Sequence, residues 1–489
     1  MGRGMVRPPP RDGADLAARQ TPGPTEGSIL RLLSLVLGLV AVAGPLAAQE
    51  RFETSLRGFI SRAGLPGTHA EDFSLLVDAI GRFYAVRQDR PAWLVDSGVS
   101  HAGRSAIAEL LDAGSQGLDP GLYDAQTLDS LARGLERGPA TESARARLDL
   151  WITVSLTRYL SDLRFGRVRP TPFARAPEEL ADWSAALGGA IAGDSVSRLV
   201  AASAPQLAQY RNLRRLLERF RRLESADRVR QIELALERLR WLPPLGKSPF
   251  IAVNIPAFQL FAFDSAGGTG APSVMMKVVV GKALETRTPM LFARMRYVEF
   301  RPYWNVPRSI LLSEIIPALQ HDPSYLRRHD MELVIPGRGA AGDQVTADAI
   351  RRLRVDSLWV RQRPGPANAL GLVKFVFPNT ASVYLHDTPQ SELFAMTRRD
   401  FSHGCIRVED PAALAQWVLG DNPEWTPDSI AAAMSGSATR RVLLDRPLPV
   451  AVFYTTVVAM PDGTARFYPD IYGLDRELSE QLRSGEQVP

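Results

Sequence analysis

The sequence is short of cysteine, lysine and histidine. Among its 489 residues there is one Cys, at position 405, and there are six His. Only four of its 58 basic residues are Lys (Lys247, Lys277, Lys282 and Lys374). A single cysteine excludes any disulfide within the chain and any close-spaced cysteine pair of the zinc-finger kind. The basic residues form no stripe with interleaved aromatics, and the net charge of +5 is mild, so nucleic-acid binding has little support. No internal repeat is present, and no low-complexity tract beyond the leader. An Arg-rich surface does suit an acidic polymer.

What is present is the composition of a globular protein, 45% hydrophobic and 23% charged, on a chain long enough for two or three domains. The only long uncharged apolar run, "LLSLVLGLVAVAGPLAA", covers Leu32–Ala48 and follows Arg3, Arg7, Arg11, Arg19 and Arg31. A basic region, an apolar stretch and small residues before a polar start describe a signal peptide. At 17 residues with Pro45 inside, the run is marginal for a spanning helix, so residues 1–48 are a signal peptide or a membrane anchor. Removing them takes away five Arg and three acids and leaves a charge near +3. The expected location is outside the cytoplasm, where a thiol without a partner is intermolecular or reactive.

From 49 to 245 the apolar period is helical. Leu213, Leu216, Leu217 and Phe220 recur at helix spacing, as do Ile232, Leu236 and Leu239, with Arg expected on the wet face. "EDFSLLVDAIGRFYAVRQ" and "RLDLWITVSLTRYLSDL" read likewise, and nothing in this half concentrates catalytic residue types. After the break "RWLPPLGKSP" the period becomes two, in "FIAVNIP", "FQLFAFD", "VMMKVVVGK", "MRYVEF", "LVKFVF" and "SVYLH". Gly-rich "SAGGTGAP" reads as a hairpin-like loop. Residues 307–363 interrupt the strands, begin helically, and read as an insertion folded over a β core. "VAVFYTTVVAMPDGTARFYPDIYG" reads as a hairpin turning at "PDG", with the last dozen residues loose.

"SHGCIRVED" at 402–410 carries the cysteine. Asp410 and Pro411 read as the N-cap and first residue of a helix, which leaves Cys405 on a loop or strand end ahead of it. A backbone N–H pair at Gly404 and Cys405 would then form an anion-binding corner. Upstream, Tyr384 and His386 share one face of a strand. A thiol becomes a nucleophile beside a base or positive charge. His386 and His403, 19 and 2 residues before Cys405, are both candidate bases. The same residues can be drawn as a zinc site or, for the thiol, as core filling. His69, His101, His321 and His329 have no partners in the sequence and read as surface residues.

The set "RPYWNVP", "PGPANALGLVKFVFPN", "YLHDTP" and "SHGCIRVE" resembles the L,D-transpeptidase catalytic domains of large Gram-negative members of that family, over roughly 230–480. The resemblance implies an α+β protein: an all-α scaffold at 49–245, a mainly β catalytic domain at 246–455 with a partly helical capping insertion at about 307–363, and a C-terminal hairpin and tail at 456–489. It implies a periplasmic enzyme of peptidoglycan biosynthesis in which Cys405 forms a thioester with the third residue of a tetrapeptide stem. A neighbouring stem then accepts the acyl group, and cell-wall synthesis proteins are the expected partners. By the same resemblance His386 is the base, held by the carbonyl of Asp387, and His403 and Gly404 shape the catalytic pocket. Tyr384 completes an oxyanion hole, and Arg407, Trp304, Ser402 and Asp387 belong to the substrate side. No metal or organic cofactor is called for, and carbapenems would acylate Cys405. Water as acceptor would make the protein an L,D-carboxypeptidase, and a silent wall-binding scaffold is a further alternative. Two departures stand out. Arg301 precedes "PYWNVP" where Asn is expected, and the peptidoglycan-binding-like module usual between scaffold and catalytic domain is missing.

Overall fold

The computed structural model describes residues 46–170, 173, 183–245, 248–265 and 271–484. Most of the apolar run at 32–48, and the centre of the Gly-rich loop at 266–270, lie outside the described residues. No helix among the described residues is long and apolar enough to cross a membrane.

The N-terminal half is helical, interrupted by one small ribbon, β1 (Leu94–Val95) with β2 (Gly98–Val99), that the helical period did not announce. Its centre is the helix Glu142–Phe165, which is not amphipathic as expected but buried on nearly every face, including Leu150, Trp151, Ile152 and Val154. That burial is tolerated because its one fully enclosed carboxylate, Asp149, accepts the backbone N–H groups of Ala92 and Trp93 and the Tyr84 hydroxyl.

The helix Ala226–Trp241 corrects the expectation of Arg on the wet face. Arg238 and Arg240 are both buried. Arg240 pairs with Glu237 and donates to the Gln116 carbonyl, and Arg238 pairs with Asp475. The described part of the C-terminal tail, up to Ser484, therefore docks on the scaffold, and 485–489 lie outside the described residues. Its hairpin, β16 (Val457–Ala459) with β17 (Ala465–Phe467), buries Val457 and Ala459 against Leu213, Leu217 and Leu236. Leu474–Ser484 is a helix, with Leu478 buried.

After 242–249 the chain enters a closed sheet. Its strands are β3 (Phe250–Asn254), β4 (Gln259–Phe263), β5 (Val274–Gly281), β6 (Leu291–Phe300), β11 (Val373–Val376), β12 (Leu385–His386), β13 (Asp400–Ser402), β14 (Ile406–Val408) and β15 (Arg440–Phe453). The order is β13-β5-β14-β12-β11-β6-β15-β3-β4, and β4 pairs back onto β5. Most neighbours are antiparallel, but β12 and β14, β13 and β5, and β15 and β3 run parallel. Alternation puts Val278, Val298, Phe300, Val373, Phe375, Leu385, Ile406 and Val408 in one core, and the polar residues between them on the opposite face.

Between β6 and β11 the chain builds a second, smaller sheet with its own core. It comprises β7 (Trp304–Asn305), β8 (Met331–Ile335), β9 (Gly339–Ala340) and β10 (Trp359–Gln362), in the order β7-β10-β8-β9. Ile310, Ile315, Leu326, Leu353 and Val360 fill the space between this sheet and its short helices.

Candidate active site

The parallel pair β12–β14 builds the site. Leu385 is level with Ile406 and His386 with Arg407, and the Ile406 N–H donates to the Tyr384 carbonyl at 3.1 Å. Both apolar partners point into the core. Tyr384 and Cys405 at one level, and His386 and Arg407 at the next, share the other face. The Tyr384 and His386 rings are 5.7 Å apart, edge to face.

His386 is 4% exposed. Its Nδ1 lies 2.5 Å from the Asp387 carbonyl and can only donate there, so the neutral ring keeps its Nε2 lone pair free. Burial, then the charges of Arg407 and Lys374, push its pKa down to about 3, against a bond to Asp387 that works the other way. Cys405 is half-buried, with Sγ 3.9 Å from the Ser382 carbonyl. Burial pushes its thiol up, opposed by the Tyr384 N–H and hydroxyl and by Lys374 and Arg407. Both shifts favour the uncharged form of their group.

The turn carrying Cys405 is locked from within. Ser402 is buried; its hydroxyl donates to the Cys405 carbonyl at 2.5 Å and accepts the Gly404 N–H at 3.2 Å. Gly404 has φ of +108°, a conformation other residues rarely adopt. Two expectations change here. Ser402 is spent on the turn rather than turned to substrate. The Gly404 N–H is already bonded to the Ser402 hydroxyl, which leaves only the Cys405 N–H of the expected backbone pair. Asp387 is likewise occupied, accepting the N–H groups of Leu372 and Thr388 at 2.8 and 2.7 Å. Gly371 makes room for that carboxylate, since a Cβ there would meet it at 2.3 Å.

The remaining residues are distributed as follows. His403 is exposed and turns to Glu314 of the inserted subdomain, Nε2 to Oε1 2.7 Å. Arg407 donates to Gln390 at 2.6 Å, while its Nε is buried without a partner. Trp304 packs against the inserted subdomain's core. Among the described residues no group of three or more His, Cys, Asp or Glu side chains is placed to hold a metal ion. His69, His101, His321 and His329 are exposed as expected, and His69 and His101 pair with Asp124 and Asp194.

Residues 248–452 match the family model of the L,D-transpeptidase catalytic domain, and residues 78–217 match that of a scaffold domain. The chain carries an L,D-transpeptidase catalytic domain behind a scaffold domain. It is a cysteine-dependent enzyme of that class. A Haemophilus influenzae protein assigned as an L,D-transpeptidase is 26% identical over 430 residues, covering 84% of this chain and 81% of that protein.

Sequence reasoning missed the residues that buttress the transpeptidase motif. Thr286 donates to the Ser402 carbonyl at 2.9 Å and Thr288 to the Gly404 carbonyl at 2.8 Å. Tyr472, from the C-terminal tail, donates to Gly281 at 2.5 Å. No local signal marks these residues; only the fold brings them within reach. Gln390, which orients Arg407, lies just past "YLHDTP", where its side chain looked like a loop residue.

Proposed function

We propose that this protein cross-links peptidoglycan stems, third residue to third residue, through a thioester on Cys405. The supporting observation is the parallel β12–β14 register, which lines up Tyr384, His386, Cys405 and Arg407 on one face with the His386 Nδ1 tied back to Asp387. His386 Nε2 takes the thiol proton as sulfur attacks the carbonyl of the third residue of a tetrapeptide donor. The resulting oxyanion faces the Cys405 N–H and the Tyr384 hydroxyl. The bond to the terminal D-alanine breaks, and its nitrogen takes the proton from the imidazolium. The side-chain amine of a second stem then attacks the thioester, gives a proton to His386, and sulfur leaves and recovers it. The depressed His386 basicity keeps the site neutral at rest; the anion formed on sulfur offsets the cost of the imidazolium.

Export to the periplasm fits this substrate, as does the leader-like sequence at 1–48. Incubation with purified tetrapeptide muropeptides and mass analysis of the products tests the reading. Cross-linked dimers with one D-alanine released per bond are expected. Tripeptides without dimers would make the protein an L,D-carboxypeptidase, and no product of either kind would leave a wall-binding scaffold.

Arg407 is the residue suited to the donor's terminal carboxylate. Among the described residues no acid lies within ion-pair distance of it, and its Nε is buried and unpartnered. Arg407→Gln is expected to raise KM for the donor by roughly 10- to 100-fold, from loss of a charge-assisted hydrogen bond of about 1.5–3 kcal/mol. A donor with an amidated C-terminus should lose little between the two proteins, and steady-state kinetics on both donors checks this.

A further inference from the structure

One row of side chains crosses five adjacent strands of the sheet. Arg407 on β14 is level with His386 on β12, His386 with Lys374 on β11, Lys374 with Glu299 on β6, and Glu299 with Arg441 on β15. All five stand on the face that carries Cys405 and Tyr384. Glu299 is the only acid in the row, and its carboxylate lies 3.4 Å from Arg441. Lys374 has no hydrogen bond or ion pair within that reach among the described residues. Instead its Nζ sits 3.9 Å from the centre of the Tyr384 ring, on the residue level with Cys405. Lys374 is thus a half-buried ammonium held over an aromatic face, beside a thiol, without an anion of its own.

We propose that Lys374 is a positioning residue whose charge stabilises the Cys405 thiolate across the Tyr384 ring. Glu299, its neighbour on β6, is paired with Arg441, and the further anion that Lys374 can meet is the one that forms on sulfur when the reaction begins. The cation–π contact fixes the ammonium and the tyrosine together, so the phenol stays aimed at the thiol. Burial lowers the Lys374 pKa, while Glu299 and the Cys405 thiolate raise it and Arg441 lowers it. On the thiol itself Lys374 and Arg407 favour the thiolate, while Glu299, the one acid of the row, works against an anion on sulfur by like charge.

The proposal rests on Cys405 as the nucleophile, but its test reads the thiol without turnover. Cys405 is the only cysteine, so the pH dependence of iodoacetamide alkylation of the full chain reports that thiol alone. Lys374→Met is expected to displace the profile upward by about one pH unit and slow alkylation near neutral pH roughly tenfold. Lys374→Arg should stay within about twofold of wild type, because the charge is kept. Glu299→Gln should displace the profile downward. A folded Lys374→Met with the wild-type profile overturns the proposal. If that variant does not fold, Glu299→Gln decides, and a profile that stays fixed or moves upward overturns it. Loss of D-alanine release in Cys405→Ala is a separate readout, so failure of the nucleophile assignment and failure of the Lys374 role are distinguishable.

Discussion

Cys405→Ala is expected to lower kcat for release of terminal D-alanine by about ten-thousand-fold or more, on the order of 5 kcal/mol of transition-state stabilisation. The size of the loss follows from the absence of a substitute. Ser402, the nearest hydroxyl on the chain, is buried and spends both its donor and an acceptor position on the turn. Tyr384 has its pKa pushed far above the ordinary range, chiefly by burial, so its phenolate is out of reach. The fold should survive. The thiol is half-buried, and its contact with the Ser382 carbonyl is 3.9 Å long. The variant should therefore melt within a few degrees of wild type by circular dichroism. A folded Cys405→Ala that still releases D-alanine would move the chemistry to another residue.

His386→Gln carries the second large effect, and it has two parts with opposite signs. Activity should fall roughly a thousandfold, since glutamine can donate to the Asp387 carbonyl but cannot accept the thiol proton. Acid stability should rise. In the unfolded chain histidine takes up a proton below about 6.5, whereas the folded site refuses it until about 3. Between those values the unfolded state binds more protons, so the wild-type protein loses stability as pH falls through this window. At pH 4.5 the loss attributable to His386 is about 3 kcal/mol, and glutamine does not incur it. Thermal melts of both proteins at pH 7.5 and 4.5 check this. The Tm gap should change in favour of His386→Gln on acidification. An equal acid shift in the two proteins would mean that His386 titrates normally in the fold.

The strands of the catalytic domain were legible because their two-residue alternation is written locally, in stretches such as "LVKFVF" and "SVYLH". So was the helix start at Asp410, whose carboxylate accepts the Ala413 N–H at 2.9 Å. The identity of the thiol's companions was legible too, since His386 and Tyr384 share a face on any strand. What could not be read was register. Lys374 is an isolated lysine in a strand, and only the pairing of β11 with β12 sets it opposite His386. The inserted subdomain showed its first helix but not its four strands, because two of them are only two residues long and set no period. Arg238 and Arg240 looked solvated for a related reason. Their partners include Asp475 and the Gln116 carbonyl, 237 and 124 residues away, and helical periodicity carries no information about them.

Helices 208–222 and 226–241 lead into β3 through residues 242–249, and the hairpin β16–β17 folds back onto those helices. The segment that follows touches both halves, Tyr472 donating to the Gly281 carbonyl and Asp475 pairing with Arg238. The inserted subdomain reaches the motif through Glu314 and His403.

Intact-protein mass spectrometry on wild-type enzyme, acid-quenched during turnover of a tetrapeptide donor, tests the acyl-enzyme most directly. A thioester mechanism predicts a mass gain equal to the donor less D-alanine, carried on the peptide containing Cys405 and released by hydroxylamine. Release of D-alanine with the protein mass unchanged, or with the adduct on any other residue, would contradict it.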